Sequence, residues 1–151
     1  PELSGDIAIE IDADGTWRHD GDEIRRDSLV TLFASILRRE DDGEYYLVTP
    51  VEKWRISVEL HPLMVIDVNR VGEEGVLEAT LNTGKVVPLD AQSTLFLEPE
   101  VGMVAAIHLA HGLTALFTRA AWYRLVEYAQ TSGGRTTVKS GPFEYDLGAA
   151  S

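Results

Sequence analysis

Apolar residues recur along this chain with two different periods. Ile7, Ile9 and Ile11 alternate with polar neighbours, the pattern of a half-buried strand. Asp14-Gly15 predicts a tight turn, residues 16–18 a second short strand, and Asp20-Gly21 another turn. From residue 27 the period lengthens. Leu29, Leu32, Phe33, Ile36 and Leu37 fall on one stripe, which predicts a helix over 27–39. Asp27 is its expected N-cap, Arg38 and Arg39 meet the negative end of the dipole, and Asp42-Gly43 stops it.

Alternation then returns. Strands are expected over 44–49 and 54–58, joined by Thr49-Pro50-Val51-Glu52-Lys53, where Pro50 holds Thr49 extended and removes a ladder donor. Residues 63–97 read as several strands with turns at 72–75 and 82–84. A hairpin is expected over 103–109 and 113–117 around His111-Gly112. A second helix over 119–130 buries Trp122, Leu125, Val126 and Ala129, with Thr118 as its cap and Ser132-Gly133-Gly134 as its stop. Short strands at 136–139 and 143–147 flank Gly141-Pro142. The class is α+β: mostly antiparallel strands with two amphipathic helices. A strand–strand–helix–strand–strand order over 7–58 recurs over 103–147, which reads as a structural duplication. The expected subdomains are 1–61, α+β, and 62–151, strand-rich with one helix.

Composition narrows the function classes. The 151 residues are 44% hydrophobic and 25% charged, ordinary globular values. A chain of this length buries enough surface to need no disulfide or metal staple. The formal charge of −12 disfavours general coating of DNA or RNA, though it leaves room for a small anion in a locally basic pocket. Cysteine is absent, which removes thiolate metal and redox sites and fits a cytoplasmic location. No apolar run approaches a membrane span and no signal peptide is visible. The chain begins at Pro1, so a trimmed leader is left open.

Motifs with strong chemical meaning are missing. There is no P-loop, no G-x-G-x-x-G after a strand and no nucleophile elbow. Asp12-Ala13-Asp14-Gly15 resembles the start of a calcium loop, but its spacing fits a polar hairpin turn better. His108 and His111, three apart on a strand, would face opposite ways and make a poor metal pair. His61, before Pro62, is weak evidence for a general base. No metal site, catalytic residue or cofactor is expected, and enzymatic activity is disfavoured.

Two features are harder to set aside. Thr49-Pro50-Val51-Glu52-Lys53-Trp54-Arg55 gathers a hydroxyl, an acid, two bases and an indole around a rigid turn, where binding groups tend to sit. Residue types alone favour a connecting turn with a Glu52–Lys53 surface pair and Trp54 in the core. Arg119 opens the second helix, where its charge opposes the dipole but where exposed N–H groups favour an anion.

Several segments resemble the bacterial family known as domain of unknown function 1285. They are Asp14-Gly15-Thr16-Trp17, the stretch from Leu32 through Gly43, and Tyr46-Leu47-Val48-Thr49-Pro50-Val51-Glu52-Lys53. Gly112-Leu113-Thr114-Ala115-Leu116-Phe117-Thr118-Arg119 and Tyr123-Arg124-Leu125-Val126 resemble its C-terminal pattern. The resemblance implies a duplicated α+β architecture whose second half is pleckstrin-homology-like. It implies no established activity, but a cleft between the halves for a nucleotide-like ligand in a signalling role. Carried over by motif, that cleft points to Thr49, Glu52, Lys53 and Arg119. His61 and Leu63 depart from the family pattern. The expected function is thus a small-ligand-binding regulatory protein for an anionic, nucleotide-like ligand. The alternative is a protein-interaction adaptor with no small-molecule ligand. Protein partners, oligomeric state and ligand identity are not specified.

Overall fold

Alternation at Ile9 and Ile11 buries both side chains beneath a strand whose intervening residues are exposed or partly so. In the computed structural model, which describes residues 1–149, this strand is β1, Gly5–Ile11. Ala150 and Ser151, the end of the expected second subdomain, lie outside the described residues. The chain divides into two units. The first is Pro1–Leu63 with His111–Leu113, the second Met64–Ala110 with Thr114–Ser151. Among the described residues strand is the commonest element, with two α-helices.

In the first unit β1 is followed by β2, Trp17–His19, and β3, Asp22–Glu23, and then by helix α1, Asp27–Ser35. Strands β4, Leu37–Arg39, β5, Tyr45–Val48, and β6, Lys53–Val58, complete it. All six strands share one sheet in the order β3-β2-β1-β6-β5-β4. The β1–β6 pair is parallel, so the sheet is mixed. Ile9, Ile11, Trp17, Leu37, Leu47 and Ile56 form its core.

The first helix is four residues shorter than the stripe predicts. It ends at Ser35, and Leu37, Arg38 and Arg39 pair as a strand with Leu47, Tyr46 and Tyr45. Asp42 and Gly43 turn that hairpin rather than stop a helix. The Gly43 amide donates to the Glu40 carbonyl, and φ is +82° at Gly43. Arg26, not Asp27, is the N-cap, and its side chain makes no capping bond. No α1 residue is buried, and Leu32 stays 57% exposed. Phe33 meets the sheet by stacking on Trp17, with centroids 6.3 Å apart.

The second unit opens with β7, Leu63–Val71, and β8, Val76–Leu81. They are joined at the expected 72–75 turn. Strands β9, Val86–Pro88, β10, Leu95–Glu98, β11, Val104–His108, and β12, Thr114–Phe117, follow. They form a sheet in the order β10-β11-β12-β7-β8-β9. Helix α2 spans Arg119–Glu127, and the Thr118 hydroxyl caps it by accepting from the Ala121 amide. Only Ala121 and Leu125 of the helix are buried; Val126, expected inside, is 42% exposed.

This helix also ends earlier than predicted. Residues Gln130–Ser132 form β13, which pairs with β14, Arg135–Ser140, and β14 pairs with β15, Phe143–Ala149. Gly133-Gly134, read as a helix stop, is the two-residue β13–β14 turn. Both glycines have positive φ, +60° and +79°, the geometry that matches strand twist in a hairpin. In the first unit three strands precede α1 and three follow it, all in one sheet; in the second, β11 and β12 precede α2, and β13–β15 follow it as a separate sheet.

Ser140 fastens that small sheet to the large one. Its fully buried hydroxyl donates to the Leu89 carbonyl at 2.7 Å and accepts from the Leu77 amide at 2.8 Å. Ser140→Ala leaves both backbone groups buried and unpaired, so the expected loss is roughly 3 kcal/mol, read by chemical denaturation. A variant within about 0.5 kcal/mol of the parent would show that the hydroxyl does not hold the sheets. At Gly112, φ is +72° and a Cβ would lie 2.7 Å from the Arg39 carbonyl oxygen. At Gly84, φ is +91° with open space around it. Gly84→Ala is expected to cost about 1 kcal/mol from backbone strain alone, and Gly112→Ala distinctly more. Equal losses would mean that the close approach contributes nothing.

Candidate functional site

The turn after β5 is built by Thr49. Its hydroxyl accepts from the amides of Val51 and Glu52, at 3.4 and 3.0 Å, and its own amide donates to the Glu52 carbonyl at 2.9 Å. Thr49 is therefore engaged in shaping the turn. The Glu52 carboxylate is exposed and has no partner among the described residues. Lys53 does not form the expected pair with Glu52. Its ammonium reaches Glu40 at 3.1 Å and lies 4.4 Å from the Tyr46 ring centroid. The Tyr46 hydroxyl donates to Asp42 at 2.5 Å. That bond raises the Tyr46 pKa and helps hold the Asp42 carboxyl below the usual range. Trp54 is half-buried rather than enclosed.

Arg119 belongs to the second unit, at the start of α2. Its Nε donates to the Tyr123 hydroxyl at 3.1 Å, and its guanidinium lies 5.6 Å from that ring centroid. The hydrogen bond raises its pKa. Of the four residues that the sequence singles out, Thr49, Glu52 and Lys53 are brought together on one turn. The positive charge there is matched by Glu40.

Other flagged groups have local duties. Asp12 pairs with Arg18 at 2.7 Å, and Asp14 accepts from the Thr16 amide, which lowers the Asp14 pKa. Both shape the first hairpin. His108 packs on Phe96 with centroids 4.5 Å apart, and His111 sits in a short 3-10 turn at φ +61°. His61 is buried. The described residues contain no group of three or more metal-ligating side chains.

A different constellation lies wholly in the second unit. A cavity of about 240 Å³ is lined by Arg70, Glu74, Tyr128, Gln130 and Lys139, with Gly75 and Gly141 between them. Long-range pairing places these residues together. The β7–β8 turn presents Glu74 and Gly75, and the end of α2 presents Tyr128. The β14–β15 turn presents Gly141, whose amide donates to the Gly75 carbonyl at 3.2 Å. Three neutral neighbours fix Arg70. Its guanidinium donates to the Lys139 carbonyl at 2.9 Å and lies 4.9 Å from the Tyr128 centroid. Its side chain also crosses Gly75, where a Cβ would stand 3.3 Å from the Arg70 Cδ.

The charges of this cavity are unspent. Among the described residues Arg70 makes no ion pair, and neither the Lys139 ammonium nor the Glu74 carboxylate has a partner. By contrast Arg18, Lys53, Arg55 and Arg135 each sit against a carboxylate. Nearby, Arg124 donates to Asn69 at 2.7 Å, and the Tyr128 oxygen, ahead of Asp67, raises its pKa. A guanidinium held rigidly by neutral partners beside a free ammonium can receive a carboxylate or phosphate without first breaking an ion pair. Sequence reading misses this set because Arg70 and Lys139 lie on different strands, 69 positions apart. The one local signal is glycine in both turns that frame the cavity.

Comparisons with known proteins agree with one another. A model for "Domain of unknown function (DUF1285), N-terminal domain" matches residues 1–60. A model for "Protein of unknown function (DUF1285), C-terminal domain" matches residues 62–147. A crystal structure of a DUF1285 family protein from Silicibacter pomeroyi DSS-3 is 34% identical. It aligns over 99% of this chain and 84% of that one with a TM-score of 0.90. Another, from Shewanella baltica OS155, is 32% identical over 80% of this chain and 91% of that one, with a TM-score of 0.68. No curated protein matches the chain. Matched in both halves by the two models and over nearly its full length by a solved relative, the chain belongs to the DUF1285 family.

Proposed function

We propose that this protein is a regulatory module that binds a small anionic ligand in the cytoplasm, with a signalling rather than a catalytic role. The observation that carries this is the Arg70–Lys139 pair. In a chain of net charge −12, two cations that make no ion pair line one cavity with a single carboxylate, and one of them is immobilised by neutral contacts. A guanidinium preorganised in this way loses little entropy on meeting an anion. With this function goes an architecture of two related halves, the second pleckstrin-homology-like. The recurring element order supports the relation between the halves. No described helix is long and apolar enough to cross a membrane.

Two sets of side chains compete for the ligand. Thr49, Glu52, Lys53 and Arg119 are favoured by the family resemblance. Arg70 and Lys139 are favoured by their unmatched charge, because binding at Lys53 would have to compete with Glu40. A ligand at one hundred times its dissociation constant stabilises a protein by about 2.7 kcal/mol. A thermal-shift panel of phosphate, nucleotides and carboxylate metabolites is therefore expected to include a stabilising compound. Lys139→Ala and Arg70→Ala should each erase its effect. Lys139→Ala should melt near the parent temperature without ligand, since its ammonium makes no hydrogen bond or ion pair among the described residues. An effect erased by Lys53→Ala or Arg119→Ala but untouched by the cavity variants would move the ligand to the sequence-derived set. A panel that moves nothing would remove anion binding and leave the interaction adaptor.

A further inference from the structure

We propose that the cavity takes a small zwitterion of the α-amino-acid type, its carboxylate on Arg70 and Lys139 and its ammonium on Glu74. This rests on the anion-binding function above and specifies the chemistry of that same site.

Size excludes the larger anions as enclosed ligands. A space of about 240 Å³ falls below the roughly 300–1,000 Å³ of pockets that bury drug-sized molecules. It suits a ligand of a few heavy atoms, not a whole nucleotide.

Charge then separates the small candidates. The lining is two cations and one carboxylate, not cations alone. Glu74 is unpartnered, so its charge is not consumed by the fold. It sits in the β7–β8 turn, closed by the Gly75 amide donating to the Gly72 carbonyl at 3.4 Å. A purely anionic ligand on Arg70 would add a like charge to the cavity that holds Glu74, which costs affinity. A ligand with an ammonium turns the same carboxylate into an attraction. Gln130 adds an amide that can donate or accept. Two lining positions stay bare because Gly75 and Gly141 have φ of +70° and +56°, where a side chain is strained. A Cβ at Gly75 would also crowd Arg70.

Selectivity comes from two opposite charges on one small cavity, and the test must therefore separate the ammonium from the carboxylate. Wild type and Glu74→Gln are titrated with the common α-amino acids, their N-acetyl forms and inorganic phosphate, following the amide resonances of Gly75 and Gly141. At least one free amino acid is expected to shift both resonances. Its N-acetyl form, which lacks the ammonium, should bind about fivefold more weakly, the scale of a partly exposed ion pair. In Glu74→Gln, an exposed change that should not disturb folding, that preference should vanish. Phosphate or N-acetyl forms binding wild type as tightly as free amino acids would overturn the zwitterion and leave anion binding standing. A preference that survives Glu74→Gln would also overturn it. If neither free amino acids, N-acetyl forms nor phosphate bind, both the zwitterion and anion binding at this cavity fall.

Discussion

The Ser140 hydroxyl closes a bridge on which the second unit's candidate site depends. The three-stranded sheet of β13–β15 is not part of the six-stranded ladder. One buried oxygen, donating to Leu89 and accepting from Leu77, fixes where β14 crosses β8. Its neighbours in sequence are then placed. The Lys139 carbonyl comes within reach of the Arg70 guanidinium, and the Gly141 amide meets the Gly75 carbonyl. Tyr145 adds a further tie, its hydroxyl donating to the Asp90 carbonyl at 3.1 Å. Buried bonds of this kind contribute modestly when made and cost much when one partner is removed, so they specify register more than they add stability.

Charge economy gives the cavity its meaning. The chain has 13 lysines and arginines against 25 acids, and Arg18, Arg25, Lys53, Arg55 and Arg135 each pair with a carboxylate. Arg70 is among those that do not. Its neighbours are a carbonyl, an aromatic face and a glycine, which orient the guanidinium without neutralising it. A stacked, hydrogen-bonded guanidinium can meet a planar carboxylate with little further ordering. Net charge describes the surface at long range, and it does not reveal which individual cations are left over.

Both helix ends show why local patterns misplace boundaries. Ile36 and Leu37 continue the apolar spacing of α1, yet Leu37 is buried as a strand residue opposite Leu47. Over three or four residues a helical stripe and a strand alternation can be satisfied by the same side chains. Pairing with β5 decides between them. Likewise Gly133-Gly134 signals both a helix stop and a hairpin turn. The presence of Gln130–Ser132 as a partner for Arg135–Ser140 selects the second.

The sequence by itself determined the predominance of strands, the two helices and their starting regions, most of the turns, the Thr118 cap and the family. Each rests on spacing, on glycine or on a short side chain acting within a few residues. Only the tertiary structure decided that Lys53 answers to Glu40 and that Arg38 and Arg39 lie on a strand. It also decided that Arg70, Glu74, Tyr128 and Lys139 line one cavity. Those outcomes depend on which distant strands pair and in what register. That is settled by burial of whole faces and by bonds such as those of Ser140, which no local window contains.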